Sequence, residues 1–295
     1  MLSLRHALLA FCVVVIWGSS FVVARLALHD LPPLFLTFLR FLFVFLPAAF
    51  FVRRPTVSWK QLAAYGFLIG VVQFGFLYVA MKSDISPALA SLVVQSQVFI
   101  TIGLAMMLSG ERLRLYQWVA LALAASGLGL ILAHGGQDAT PLGVALVLLA
   151  ATGWAGGNHV ARQGGPVNML GYVVWSSLFA MPPLLAMALL LDGWPAIAQG
   201  LAQSDWRTWI AVLFLSLANT MFGYTVWGWL LARYPAATVA PLSLLVPVFG
   251  FATAALVLGE ALPGWKLIAG ALVLGGLAFN LLYPRLRIAL GGSAA

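Results

Sequence analysis

The chain of 295 residues is 63% hydrophobic and only 7% charged, with a net charge of +8. A soluble domain carries about a quarter charged residues, so water is not the solvent this composition suits. The basic residues are dispersed, which argues against a nucleic-acid partner, and a single cysteine, Cys12 in an apolar stretch, excludes an intramolecular disulfide.

Apolar runs of about twenty residues, the length that crosses a bilayer as a helix, recur along the whole sequence. They fall at 6–28, 33–52, 60–81, 86–108, 115–133, 142–163, 168–190, 208–231, 236–258 and 264–284. The reading is an all-α integral membrane protein with ten transmembrane helices. The first run exceeds twenty residues and lacks a small-residue cleavage site before the second, so it reads as a retained helix rather than a signal peptide. Arg25, near its end, can snorkel. Short connections with turn residues, such as His29 to Pro33 and Arg53-Arg54-Pro55, separate the spans. The longest polar interruption is 192–207.

Orientation follows from the basic residues in the loops. With the N-terminus cytoplasmic, Arg5, Arg53, Arg54, Lys60, Arg112, Arg114, Arg162, Arg233, Arg285 and Arg287 lie inside, against Lys82, Arg207 and Lys266 outside. Both termini are then expected in the cytoplasm. Six acids (Asp30, Asp84, Asp138, Asp192, Asp205, Glu260) come out on the far side, and Glu111 alone lies inside.

The chain repeats itself. Trp17-Gly18 in the first span, followed by Ala24-Arg25, has a counterpart in Trp154-Ala155 and Ala161-Arg162 of the sixth, at an offset of 137. Trp59-Lys60 before the third span matches Trp206-Arg207 before the eighth. Ala90, Leu92, Val98 and Phe99 of the fourth match Ala240, Leu242, Val248 and Phe249 of the ninth, at an offset of 150, and Gly110-Glu111 follows as Gly259-Glu260. Ala122 and Ser126 of the fifth match Ala271 and Gly275 of the tenth. These two pairs, with Gly66 and Gly70, read as small-residue contacts between helices. Five spans per half, over 1–140 and 141–295, force the second half to enter the membrane inverted. Inverted repeats place substrate near the midplane between the halves.

Polar side chains within the spans must face protein or a water-filled cavity. The expected cavity residues are Trp17 and Ser20 of span one, Gln73 and Tyr78 of span three, Gln95 and Gln97 of span four, and Trp154 and Asn158 of span six. Asn219, Tyr224 and Trp227 of span eight and Ser243 of span nine complete the set. Each has a plainer reading as a hydrogen bond or packing contact between helices. Gln95 and Gln97 are two apart and cannot share a helix face. Pro241 and Pro247 suit a bent ninth span. Trp17 and Trp154 sit mid-span, although membrane tryptophans favour interfaces. His159 is the candidate proton site, with a structural histidine as the alternative. Arg40, two turns into span two, reads as packed against polar backbone or helix ends, with contact to substrate as the alternative. Lys82 reads as an interfacial anchor. No span carries a mid-membrane carboxylate, and no metal, phosphate-loop or hydrolase motif is present. No cofactor or metal is therefore expected.

Trp17-Gly18, Leu39-Arg40-Phe41, Ala90-Ser91-Leu92 and Gly110-Glu111-Arg112-Leu113, with Ala240-Pro241-Leu242 and Gly259-Glu260-Ala261-Leu262, resemble the drug/metabolite transporter superfamily, in particular its ten-helix EamA-type exporters. Phe51-Val52-Arg53-Arg54-Pro55, Gln95-Ser96-Gln97, Val174-Trp175-Ser176, Arg233-Tyr234 and the run from Val239 to Val248 resemble the O-acetylserine/cysteine exporter branch. The resemblance implies export of small metabolites, foremost amino acids, across a bacterial inner membrane. Alternating access would operate around a cavity formed by spans one, three, four, six, eight and nine. An exporter of drugs or aromatic compounds is the alternative within the fold, and an intramembrane enzyme is the disfavoured alternative outside it. The expected partners are a small-molecule substrate and the lipid bilayer, without nucleic acid, in a monomer or homodimer. With no buried carboxylate to exchange a proton, facilitated diffusion or substrate exchange is expected.

Overall fold

The computed structural model describes residues 3–109, 114–134, 136, 138–164, 167–234 and 239–289. Gly110, Glu111, Arg112, Leu113 and Ala236, which carried part of the sequence reading, lie outside the described residues. Eleven helices follow one another among those described. They are α1 (Leu4–Asp30), α2 (Pro33–Ala48), α3 (Trp59–Ser83), α4 (Pro87–Val93, Val94–Ser96 and Gln97–Ser109 in succession), α5 (Leu115–His134) and α6 (Pro141–Gln163). The second half holds α7 (Met169–Met187, continued through Ala188–Gly193), α8 (Trp194–Gln203), α9 (Trp206–Leu213, Phe214–Phe222 and Gly223–Arg233), α10 (Ala240–Leu244 and Leu245–Leu258) and α11 (Gly264–Ala289).

The helix starts are written in the sequence. Ser58, Ser86, Asn168 and Asp205 each accept a backbone N–H from the first turn of α3, α4, α7 and α9, which satisfies donors that the helix cannot pair itself. The helices are apolar, and their outward faces carry large apolar side chains, with Leu256 86% exposed, Leu190 82% and Leu115 81%. Patches of this kind need a bilayer rather than water. The protein is a multi-pass membrane protein.

Two boundaries differ from expectation. The second span ends at Ala48, with Pro47 in its last turn, and Phe50 and Phe51 already lie in the following turn. The polar interruption after the seventh span holds α8, which buries Ile197 and Gly200 and exposes Trp194. Gly193 turns the chain into it with φ +83°, a conformation costly for any residue with a Cβ.

The two halves interlock as a pseudo-two-fold pair. α2 packs on α7, α4 on α10, and α5 on α11, each helix meeting its own counterpart. α1 meets α9 and α10, just as α6 meets α3 and α4. The local distortions repeat as well. Phe67–Gly75 of α3 and Phe214–Phe222 of α9 are both nine-residue π-helical stretches, and Trp59 and Trp206 open their respective helices at the same spacing. 3-10 turns also interrupt α4 at Val94–Ser96 and open α10 at Ala240–Leu244.

The α5–α11 contact runs through a different register than the small-residue pairs indicate. Ala122, Ser126, Ala271 and Gly275 are exposed, whereas Ala120, Ala124 and Gly127 face Ala269, Val273 and Gly276. A Cβ on Gly127 would lie 2.9 Å from the Ala269 carbonyl oxygen, and one on Gly276 would lie 2.6 Å from that of Ala120. Glycine at these two sites is what lets the backbones approach.

Candidate substrate cavity

A cavity of about 40 Å³, room for a few water molecules, lies where the halves meet. Its wall draws on α1 (Trp17, Ser20, Phe21), α3 (Gln73, Phe74, Leu77, Tyr78), α4 (Val94), α6 (Trp154), α9 (Asn219, Tyr224) and α10 (Val246). Seven of the residues singled out from the sequence are among these: Trp17, Ser20, Gln73, Tyr78, Trp154, Asn219 and Tyr224. Phe21, Phe74, Leu77, Val94 and Val246 are apolar, and nothing in an apolar span sets such residues apart from lipid-facing ones.

Aromatic rings organise the wall. The Trp17 ring lies edge-on to Trp154 at 6.1 Å and 89°, and tilted against Tyr224 at 5.5 Å and Trp227 at 5.1 Å. Its indole N–H donates to the Asn219 carbonyl at 3.2 Å. That carbonyl belongs to the π-helical stretch of α9, and π-helical turns re-aim backbone and side chains at functional sites. The equivalent stretch of α3 carries Gln73. Its Nε2 donates to the Tyr224 hydroxyl at 3.4 Å, while its Oε1 is buried without a partner. Ser20 is satisfied within its own helix, donating to the Trp17 carbonyl at 2.7 Å.

The remaining singled-out residues lie elsewhere. Gln95 pins α4 to α10 by donating to the Ser243 carbonyl at 2.9 Å, with its own Oε1 buried and unpartnered. Gln97 is half-buried, and its carbonyl accepts from Thr101. Trp227 backs the Trp17 ring without lining the cavity. Asn158 and His159 are half-buried on α6, where His159 Nε2 lies 3.1 Å from the Gln163 amide one turn on.

Arg40 departs most from its expectation. It is fully buried and bonds to side chains rather than to helix ends. Nε donates to Thr220 Oγ1 at 2.7 Å, Nη1 to the Tyr78 hydroxyl at 2.6 Å and Nη2 to Asn219 Oδ1 at 2.9 Å. The Phe74 ring lies 3.6 Å from its guanidinium carbon. No carboxylate forms an ion pair with it among the described residues. Burying the cation costs several kcal/mol. Charge-assisted hydrogen bonds of about 1.5–3 kcal/mol each and a desolvated cation–π contact of about 2 kcal/mol can offset that cost, but they leave the charge in place. Tyr78, Asn219 and Phe74 thus stand between a buried positive charge and the cavity. A lone arginine two turns into a span was the available signal.

Among the described residues no group of three or more His, Cys, Asp or Glu side chains converges to hold a metal. The wall offers amides, hydroxyls and aromatic faces, chemistry for binding rather than for nucleophilic or acid–base catalysis.

Comparison with known proteins agrees with this geometry. The model of the EamA-like transporter family matches residues 4–133 and again 141–282, once per half. The chain is 42% identical over 292 residues to a "Probable amino-acid metabolite efflux pump" of Salmonella typhimurium (strain LT2), covering 97% of this chain and 98% of that protein. It is 40% identical, over the same shares, to the protein of that name in Escherichia coli (strain K12). A "Probable terminal-alkyne amino-acid exporter" of Streptantibioticus cattleyicolor is 28% identical over 89% of both chains. One crystal structure, at 24% identity, superposes with a TM-score of 0.63 over 96% of this chain and 99% of that one, and so shares the fold. The chain belongs to the EamA-like transporter family.

Proposed function

We propose that this protein exports amino acids across a bacterial inner membrane by alternating access around the cavity between its halves. The observation that carries the reading is the cavity itself. It is walled by six helices of two pseudo-symmetric halves, with Trp17, Trp154 and Tyr224 and the amides of Gln73 and Asn219 supplied by four of them. Amides and hydroxyls suit a zwitterionic headgroup, and the aromatic faces suit an ammonium or a side chain. Relatives named as amino-acid metabolite efflux pumps, at 40–42% identity over nearly the full length, support the same substrate class. The repeat units are 1–140 and 141–295. The termini face the cytoplasm.

Among the described residues no carboxylate lines the cavity, which supports facilitated diffusion or exchange, with net export set by the amino acid gradient. Counterflow of the twenty standard amino acids in proteoliposomes tests the reading. Uptake driven by an internal load of the same amino acid, without a pH gradient, is expected. Failure to move any amino acid would sink the proposal. Concentrative uptake driven by a pH gradient alone, abolished by a protonophore and by His159→Gln, would replace the coupling scheme with one through His159.

A further inference from the structure

We propose that Arg40, acting through the Tyr78 hydroxyl and the Asn219 amide, creates a site for the α-carboxylate of the substrate, and that the Gln73 side-chain carbonyl receives the α-ammonium. The inference rests on the amino-acid reading and specifies how that class is recognised.

Three observations converge on it. Arg40 carries a permanent charge, fully buried and, among the described residues, matched by the neutral acceptors Thr220, Tyr78 and Asn219. Its two cavity-side acceptors are thereby fixed in one sense. A phenol oxygen that accepts from a guanidinium keeps its own hydrogen to donate, and an amide whose Oδ1 is turned to the guanidinium turns its NH₂ donors away from it. Tyr78 and Asn219 both line the cavity, so the residues closest to the buried cation present donors in front of a positive charge. That combination binds an anionic oxygen more tightly than a neutral one. Finally, Gln73 also lines the cavity, and its buried Oε1 has no partner, which leaves an acceptor for an N–H-bearing cation. A positive end and an acceptor end in one small cavity fit a zwitterion. They disfavour a bulky cation without a carboxylate, so the arrangement selects an amino acid over a cationic drug.

Arg40 is here a positioning residue, because Tyr78 and Asn219 make the contact. The decisive readout is therefore the ratio of affinities for an acid and its carboxamide, which a purely structural role would not move. The full-length protein in detergent is titrated with L-alanine, L-serine and L-leucine and with the carboxamide of each, following the fluorescence of the cavity tryptophans. Tetraphenylphosphonium serves as a cation without a carboxylate. At least one acid is expected to bind about tenfold or more tightly than its carboxamide, as loss of a charge-assisted contact implies. Arg40→Gln should bring that ratio close to one, and Arg40→Lys should restore part of it.

If Arg40→Gln does not fold, Tyr78→Phe tests the same point, since it keeps the guanidinium and removes the hydroxyl. An acid-to-carboxamide ratio near one in the wild type, or one that survives these substitutions, overturns the carboxylate site even where amino acid counterflow persists. A protein that binds tetraphenylphosphonium and none of the three acids overturns the amino-acid reading as well.

Discussion

Trp17 shows how much one residue can hold together. Its ring touches Trp154, Tyr224 and Trp227, and its N–H reaches the Asn219 carbonyl. Gly223 makes the room, since a Cβ there would lie 2.4 Å from the indole nitrogen. Truncating a buried tryptophan in a solid core costs about 3–5 kcal/mol. Here one side of the ring already faces a void, so less packing is lost. Trp17→Ala is therefore expected to accumulate at near-normal levels and to shift counterflow preference toward larger side chains. Trp17→Phe, which keeps the ring and drops a hydrogen bond worth about 1 kcal/mol, should shift it less. Transport of every amino acid in unchanged proportion by Trp17→Ala would remove this side chain from the cavity's selectivity.

At the scale of elements, the π-helical stretches of α3 and α9 decide where the polar groups point. In α9, Thr220 donates to the Leu215 carbonyl at 2.8 Å and accepts from Arg40 Nε at 2.7 Å, so one hydroxyl secures both the widened turn and the buried cation. Thr220→Val keeps the shape but strands a buried charged donor, at about 1–3 kcal/mol or more. A thermal-unfolding midpoint a few degrees below wild type is expected, with Thr220→Ser close to wild type. Equal midpoints for the valine and serine variants would show that the hydroxyl supports neither group. The sequence carried the ten apolar runs, because span length is set by bilayer thickness. The π-helical register was illegible, since it depends on which neighbours a helix packs against. The α5–α11 face was missed for the same reason: Ala122 and Gly127 look alike until the partner's rotation is known. Arg40 was legible as an oddity and opaque as a site. Its partners Tyr78, Asn219 and Thr220 lie up to 180 residues away in the chain.

The whole molecule is fastened on one face. Lys266, fully buried, bonds Asp138 at 2.9 Å, Glu260 at 2.8 Å and the Ala261 carbonyl at 3.1 Å. Glu260 also accepts from Ser86 at 2.5 Å, which joins the start of α4, the approach to α6 and the turn between α10 and α11. Asp192 on the same face accepts the Leu34 and Phe35 amides, and Asp30 accepts from Thr208. The loops that the basic-residue count assigns to the outside thus meet one another. Ser3→Cys and Gln199→Cys, each in a Cys12→Ser background, should react with an impermeant thiol reagent from opposite sides, and labelling of both from one side would refute the topology. Alternating access requires the fastened face to part at some stage. Lys266→Met keeps the bulk of the side chain and leaves Glu260, with a further oxygen already unpartnered, buried opposite Asp138 without its cation. Breaking a buried pair in this way costs about 3–5 kcal/mol, charged only to the closed state. A bias of that size can invert a two-state population. Ser20→Cys in the cavity wall, again without Cys12, should therefore become much more reactive from the Lys266 side in Lys266→Met vesicles, and less reactive from the opposite side. Adding Glu260→Gln, which removes the stranded charge, should return both rates toward the wild-type pattern. Unchanged labelling in Lys266→Met would mean that the cluster is a fixed brace of the fold and that the molecule opens elsewhere.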